Sequence, residues 1–459
     1  MSELKDQKVA VIGLDASGTA VCALLKKMGA TVFGCPADGE ASQKETDRKT
    51  VLTLPGKLDF AVYSASCSRS HPDVAKLEAR KVPVISDLEF SSRYFRCLSI
   101  AITGTNGKTT TAELVAAMLG EAQRKTVRAG ASGLPLAEVA EQTRELDFAT
   151  LDINAFQLEG IEHFRPSVGV ITNLPGDHLD RYSSVGDYAR VMGGMFRNQQ
   201  VFDWAIVQSE ALAHLRALKV EIPSKIITFS ARNRRADLYF DRGLLISALE
   251  NWSGPLFNME HGALRGPHQA ENVMAALAVG RVLRIPLEQM VQALKTYRPG
   301  PHRMELVGEA NGVKFVNNSK AMNVDAVEQS IEVIPEGPGG EPNVWLIAGG
   351  RDKSLNHHDL GPLLARRVKG AFLLGEAREK LRAAWSLFTP CTVVETLLEA
   401  VTNAAQSAVA GDVILLSPAC SSLDMFRSYQ HRGEIFRAAV QTVAGAATPN
   451  RKQSNPILN

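Results

Sequence analysis

At 459 residues the chain is too long for one hydrophobic core and implies about three domains. Its 45% hydrophobic and 22% charged content is that of a folded globular protein, and a formal net charge of +2 gives no bulk electrostatic reason to bind nucleic acid or an anionic membrane. No apolar run approaches membrane-spanning length, and the charged start Met1-Ser-Glu-Leu-Lys-Asp-Gln-Lys8 does not read as a signal peptide. The six cysteines (Cys22, Cys35, Cys67, Cys97, Cys391, Cys420) include no C-x-x-C pair, so reduced thiols in a cytoplasmic protein are expected.

In chain order, Lys8–Gly13 reads as a strand, Ser17–Met28 as a helix and Thr31–Phe33 as a second strand. Phe60–Tyr63 and Val82–Ile85 continue a parallel sheet covered by helices. Gly13-Leu-Asp-Ala-Ser-Gly18 resembles the dinucleotide fingerprint with Asp15 at the middle glycine, which suits either a nucleotide-diphosphate site or a plain tight turn. Cys97–Ile102 is a buried strand, Thr109–Leu119 a helix, and Phe148–Ile153 and Val168–Thr172 are further central strands. Asp237–Ser247 reads as a hairpin, followed by helices after Gly266 and a rigid boundary at Arg298-Pro-Gly-Pro301. Beyond it, Val344–Ala348, Ala371–Leu374, Thr392–Val394 and Val413–Leu416 alternate with helices, and a mobile tail is expected after Ala447.

The chemistry concentrates at Gly104-Thr105-Asn106-Gly107-Lys108-Thr109-Thr110, between a strand and a helix N-terminus. Backbone N–H groups there converge on phosphate oxygens, and the helix dipole adds partial positive charge. Lys108 supplies a full charge for β- and γ-phosphates, and Thr109 a hard oxygen for Mg²⁺. Ile102 stands where the usual loop has its first glycine, so this is a shortened P-loop. Further polar clusters follow strand ends, where open α/β sheets bind ligands. They are Asp152 with Phe156–Glu159, Asn173–Tyr182, Pro301–Glu305, Asn317–Asn323, Gly349–Lys353 and Leu416–Phe426. Alone, His178 suits a packed or surface histidine; behind a strand of a nucleotide-binding segment it suits a metal ligand.

Taken together, the chain resembles the Mur ligase family from its first strand to about Phe436. The resemblance is carried by Gly104–Thr110, Asp177-His-Leu-Asp-Arg-Tyr182, Pro301-His-Arg303, Ser319-Lys320-Ala321, Gly349-Gly-Arg-Asp-Lys353 and Ser417-Pro-Ala-Cys420. It implies an α/β protein of three domains. These are a Rossmann-like UDP-substrate domain over residues 1–95, a central P-loop ATPase domain with a parallel sheet over 96–299, and a Rossmann-like amino-acid domain over 300–459. It further implies ATP- and Mg²⁺-dependent addition of D-glutamate to UDP-N-acetylmuramoyl-L-alanine, through an acyl phosphate, in peptidoglycan precursor synthesis. A cytoplasmic monomer without membrane or nucleic-acid partners would do this. Carried over by position, Lys108, His178, Lys320 and Lys353 are catalytic, and Thr109, Asp152 and His178 hold metal. Gly104 to Thr110, Asn272, Arg303 and Asn318 contact ATP, while Ser64, Ser422, Leu423 and Tyr429 contact substrate.

Several positions depart from the family pattern. Asp152 replaces a glutamate, Asn318 an aspartate, Met322 a threonine and Ala131 an asparagine. Asn154-Ala155 replaces Ser-Ser, and Ser64-Ala-Ser66 replaces Ser-Pro-Gly. Met192 stands in place of a lysine that the family carbamylates, and a thioether cannot form a carbamate. A diverged ligase for another amino acid and a nucleotide-binding pseudoenzyme are therefore the alternatives.

Overall fold

The computed structural model describes residues 4–34, 56–67, 69–131, 133–175 and 181–447. The chain divides into two compact units, with the break between Tyr297 and Arg298.

The first unit contains two sheets. Strands β1 (Lys8–Ile12), β2 (Thr31–Phe33), β3 (Phe60–Tyr63) and β4 (Val84–Ser86) form a parallel sheet in the order β2-β1-β3-β4. Successive strand residues point to opposite faces. Val9, Val11 and Val62 accordingly pack on the helix Ala16–Lys27, while Ala10, Ile12 and Ala61 pack on the helix Pro72–Ala79. With both faces covered, these strands read as unbroken apolar runs, which is why the sequence exposes them.

The second sheet is built from β5 (Leu98–Thr103), β6 (Thr126–Gly130), β7 (Phe148–Asp152), β8 (Val168–Ile171), β9 (Trp204–Gln208), β10 (Lys225–Ser230), β11 (Leu238–Asp241), β12 (Leu244–Ser247) and β13 (Gly254–Asn258). Their order is β13-β12-β11-β10-β9-β8-β5-β7-β6, with β12 alone reversed, so that it pairs antiparallel with both β11 and β13. The expected hairpin is β11–β12, turning on Arg242 and Gly243 with φ of 47° and 86°. Strand β5 lies between β7 and β8, and the chain leaves it towards β6 on one side before returning to β8 on the other. That reversal opens a crevice at the carboxyl end of β5, where the glycine loop begins. The helices Lys108–Glu121 and Pro267–Val282 share one core with the sheet, and the helix Val185–Gly193 packs into the other.

The second unit holds β14 (Glu305–Ala310), β15 (Val313–Asn317), β16 (Val344–Gly349), β17 (Val368–Leu374), β18 (Cys391–Val393) and β19 (Val413–Leu416). They are ordered β14-β15-β19-β16-β17-β18, and only β14 runs antiparallel to its neighbour. The helix Tyr429–Ala447 packs against β14 and β15.

One expectation needs correction. Cys67, Cys97, Cys391 and Cys420 are free thiols, but Cys22 is disulfide-bonded. The sequence shows no spacing signal for that bond, because a disulfide depends on the approach of two Cα atoms. Among the described residues no helix is long and apolar enough to cross a membrane.

Candidate active site

Two glycines shape the loop after β5. Gly107 has φ of 83° and forms the N-cap of the helix Lys108–Glu121, and Gly104 has φ of 138°. A Cβ on Gly107 would sit on Asn272 Oδ1 and 2.8 Å from its Cγ; one on Gly104 would sit on Thr172 Oγ1. Both glycines therefore let the loop pack closely onto Asn272 and Thr172, where a side chain has no room. The end of β8 pins the same loop. Asn106 N donates to Asn173 Oδ1 at 2.9 Å, and Asn173 Nδ2 and Thr172 Oγ1 donate back to Asn106 O at 3.1 and 2.6 Å. Thr105 Oγ1 donates to Pro175 O at 2.6 Å and lies 3.2 Å from Tyr188 OH. Lys108 Nζ folds over the loop and donates to the carbonyls of Gly104 at 2.7 Å and Thr105 at 3.1 Å.

Thr109 Oγ1 donates to Asp152 Oδ2 at 2.7 Å, and both residues are buried. A hydroxyl and a carboxylate from adjacent elements form a hard-oxygen donor set, which fits Mg²⁺. Thr110 is buried on the same helix, and Asn272 is held by Gln269 at 3.0 Å beneath the loop. His178 and its neighbours 176–180 lie outside the described residues. Among those described, no group of three His, Cys, Asp or Glu side chains surrounds a common metal position. Met192 is fully buried in the core, and its sulfur accepts from Thr103 Oγ1 at 3.5 Å. It fills apolar space there, as thioethers commonly do.

On the N-terminal sheet, Asp15 caps the helix Ala16–Lys27 and accepts from Gly18 N at 2.9 Å. The amide that would face an anion at this turn is thus used by the chain's own carboxylate. Ser64 is fully buried, with its hydroxyl 3.2 Å from that of Ser66. Nearby, the buried Asp87 accepts from Ser17 Oγ, from Leu88 N at 2.8 Å and from Gln157 Nε2 at 3.2 Å. Burial pushes its carboxyl up to about 6 despite these donors.

In the second unit three loops converge. Gly349-Gly-Arg351 pairs with the loop after β19: Gly349 N donates to Pro418 O at 2.8 Å, and Arg351 and Ser421 exchange backbone bonds at 2.8 and 3.1 Å. Lys320 N donates to His302 O at 3.3 Å, and Lys320 Nζ lies 5.3 Å from the centre of the Tyr429 ring. Asn318 Oδ1 accepts from Met304 N at 3.2 Å, which ties it to the segment carrying Arg303. Ser422 is buried, whereas Leu423 is 52% exposed on the same loop. Lys353 follows Asp352, whose carboxyl burial would raise, but which Lys380 and His357 hold below its ordinary value. Lys320, Lys353, Ser422 and Tyr429 therefore sit on neighbouring segments of one unit. Sequence reasoning missed Arg432, buried behind those segments, because an arginine beside a glycine on a helix carries no local sign of burial.

Residues 102–280 match the Mur ligase middle domain, and residues 302–420 match the Mur ligase glutamate ligase domain. A UDP-N-acetylmuramoylalanine--D-glutamate ligase from Acidobacterium capsulatum is 36% identical over 97% of this chain and 98% of its own. The chain belongs to the Mur ligase family. A ligase of the same name from Geotalea daltonii is 34% identical over 96% of this chain and 99% of its own. Among Mur ligase structures, the UDP-N-acetylmuramate-alanine ligase of Thermotoga maritima superposes with a TM-score of 0.61 at 17% identity, covering 95% of this chain and 99% of that one. The MurF ligase of the same organism, in complex with ADP, gives 0.60 at 15%, covering 97% of both. At such identities these structures bear on the fold alone.

Proposed function

We propose that the chain is an ATP-dependent ligase that adds D-glutamate to UDP-N-acetylmuramoyl-L-alanine in peptidoglycan precursor synthesis. The observation that carries the ATP half is the glycine loop at the N-terminus of the helix Lys108–Glu121, braced by Thr172, Asn173 and Asn272. The substrate pair is that named for relatives matching nearly the whole chain. The substrate's terminal carboxylate attacks the γ-phosphate and ADP leaves, giving an acyl phosphate; the neutral amino group of the amino acid then adds to the acyl carbon, and the tetrahedral intermediate collapses to the amide with loss of phosphate and a proton. Negative charge accumulates in both steps. Lys108, released from the Gly104 and Thr105 carbonyls, offsets it at the phosphates. Thr109 and Asp152, with His178, would hold Mg²⁺, whose role when bound is to neutralise phosphate charge. Lys320 and Lys353 meet the carboxylates of the incoming amino acid.

On this reading the three domains span residues 1–95, 96–299 and 300–459, and the protein works as a cytoplasmic monomer serving wall growth and division. The test is phosphate release from ATP by the purified protein, given UDP-N-acetylmuramoyl-L-alanine and a panel of amino acids. Fastest turnover with D-glutamate supports the proposal, as does a Lys353→Ala variant whose amino-acid KM rises far more than its ATP Kd. Faster turnover with a neutral amino acid transfers the chain to a diverged ligase. Measurable ATP binding with no turnover on any UDP-muramoyl substrate makes it a pseudoenzyme.

A further inference from the structure

Arg432 is the most deeply buried cation among the described residues, 2% exposed on the helix Tyr429–Ala447. Its Nε donates to Ser319 Oγ at 3.0 Å, one terminal nitrogen to Ser319 O at 2.8 Å and the other to Cys420 O at 3.2 Å. Ser319 Oγ in turn donates to Tyr429 O at 2.8 Å. One guanidinium thereby fastens the residue before Lys320 and the residue two before Ser422 to the first turn of the helix that carries Tyr429. The third loop lies against it as well, because a Cβ on Gly350 would stand 3.3 Å from the guanidinium.

No carboxylate among the described residues forms an ion pair with this charge; its partners are one hydroxyl and two carbonyl oxygens. A buried guanidinium without an ion-pair partner is costly; burial pulls its pKa down to about 10 although the Asp424 carboxylate acts in the opposite sense, and it stays well above neutrality. A chain needing only a brace could place a neutral residue there. A fixed positive charge behind a ligand pocket instead acts on the ligand's own charge, since the field falls off slowly where water is excluded.

We propose that Arg432 is a positioning and specificity-determining residue. It orders the Ser319–Lys320 and Cys420–Leu423 segments, and its buried charge favours an amino acid bearing a second carboxylate over its uncharged amide. This rests on the amino-acid reading of these loops given above. Arg432 does not touch the substrate; it acts through Ser319, Cys420 and the field.

The experiment compares kcat/KM for D-glutamate and D-glutamine, and for D-aspartate and D-asparagine, in the full chain and in Arg432→Met, Arg432→Lys and Ser319→Ala. Arg432→Met is expected to raise the KM for the acidic amino acid by about tenfold or more, with the ATP KM within about twofold, and to shrink the acid-to-amide ratio by a similar factor. Arg432→Lys keeps the charge but loses the fork, so it should recover most of the ratio while keeping a raised KM. Ser319→Ala removes only a hydroxyl from each of two hydrogen bonds and covers the case in which Arg432→Met does not fold; a few-fold rise in the acidic amino acid's KM with the ratio intact is expected. An unchanged acid-to-amide ratio in folded Arg432→Met, or an unchanged KM in Ser319→Ala, overturns the inference. If the wild type prefers another acidic amino acid to D-glutamate, the proposed substrate fails while the ratio still decides the role of Arg432. A wild type preferring amides overturns both.

Discussion

Replacing Gly107 by alanine tests whether the nucleotide loop is held open by sterics. The residue sits at φ of 83°, where a Cβ costs about 1–2 kcal/mol. That Cβ would also sit on Asn272 Oδ1, 2.8 Å from Cγ and 3.1 Å from Nδ2. Asn272 has little room to retreat, since it is 5% exposed and its Nδ2 donates to Gln269 Oε1 at 3.0 Å. Overpacking of this kind costs a further ~1–3 kcal/mol, so a total of about 2–5 kcal/mol is expected. Gly120 lies on the same helix with nothing within 4 Å of its would-be Cβ, so Gly120→Ala should stabilise by about 0.5–1 kcal/mol. Urea denaturation would follow the transition that added ATP shifts, alongside the ATP Kd by titration. In the Gly107→Ala background, Asn272→Ala should restore the steric part, which appears as non-additivity. A Gly107→Ala protein with the wild-type midpoint and ATP Kd would refute the reasoning.

Asp87 has its folded-state carboxyl raised from 3.8 to about 6, so wild-type stability should fall as pH rises from about 4 to about 6, by about 2–3 kcal/mol, and stay level above. In Asp87→Asn, urea midpoints across that window should lose this slope. Glu89 behaves in the opposite sense. Burial alone would raise its carboxyl, but the amides of Glu162, Phe164 and His163 and the Arg93 guanidinium hold it below its usual value. Glu89→Gln should therefore cost about 2 kcal/mol at neutral pH, with the difference from wild type closing as pH falls through the depressed pKa. Lys108→Ala should abolish ATP turnover with an unchanged unfolding transition; turnover within a few-fold of wild type contradicts its assignment to the phosphates. Met192 offers no amine for carbamylation, so wild-type turnover should not respond to removal or addition of bicarbonate, whereas a bicarbonate requirement would place the carbamate elsewhere.

Much of the fold was legible in the residues. Strands β1, β3, β5, β7, β8, β16 and β19 are covered on both faces, so each announces itself as an apolar run. Strands β6, β13 and β14 escaped at sheet edges, where they carry residues such as Arg128, Pro255 and Glu309, suited to an exposed margin; β9, β10 and β15 escaped although they are interior, their apolar runs being short and mixed with Gln208, Lys225, Ser230 and Lys314. The β5-loop-helix unit was equally readable, since glycine conformation and helix capping are decided within a few residues.

What the sequence determined by itself was therefore local: the periodic strands and helices, the glycine loop, and the ordered motifs that mark a Mur ligase. Only the tertiary structure decided that Thr109 meets Asp152 across 43 residues, and that Arg432 reaches back 113 residues to Ser319. The same holds for the burial of Ser64, the capping of its own helix by Asp15 and the core position of Met192. Short-range backbone preferences act wherever the residues stand. Burial and charge compensation exist only once distant segments have closed on one another, because the desolvation that gives Arg432 and Asp87 their character comes from neighbours far away in the chain.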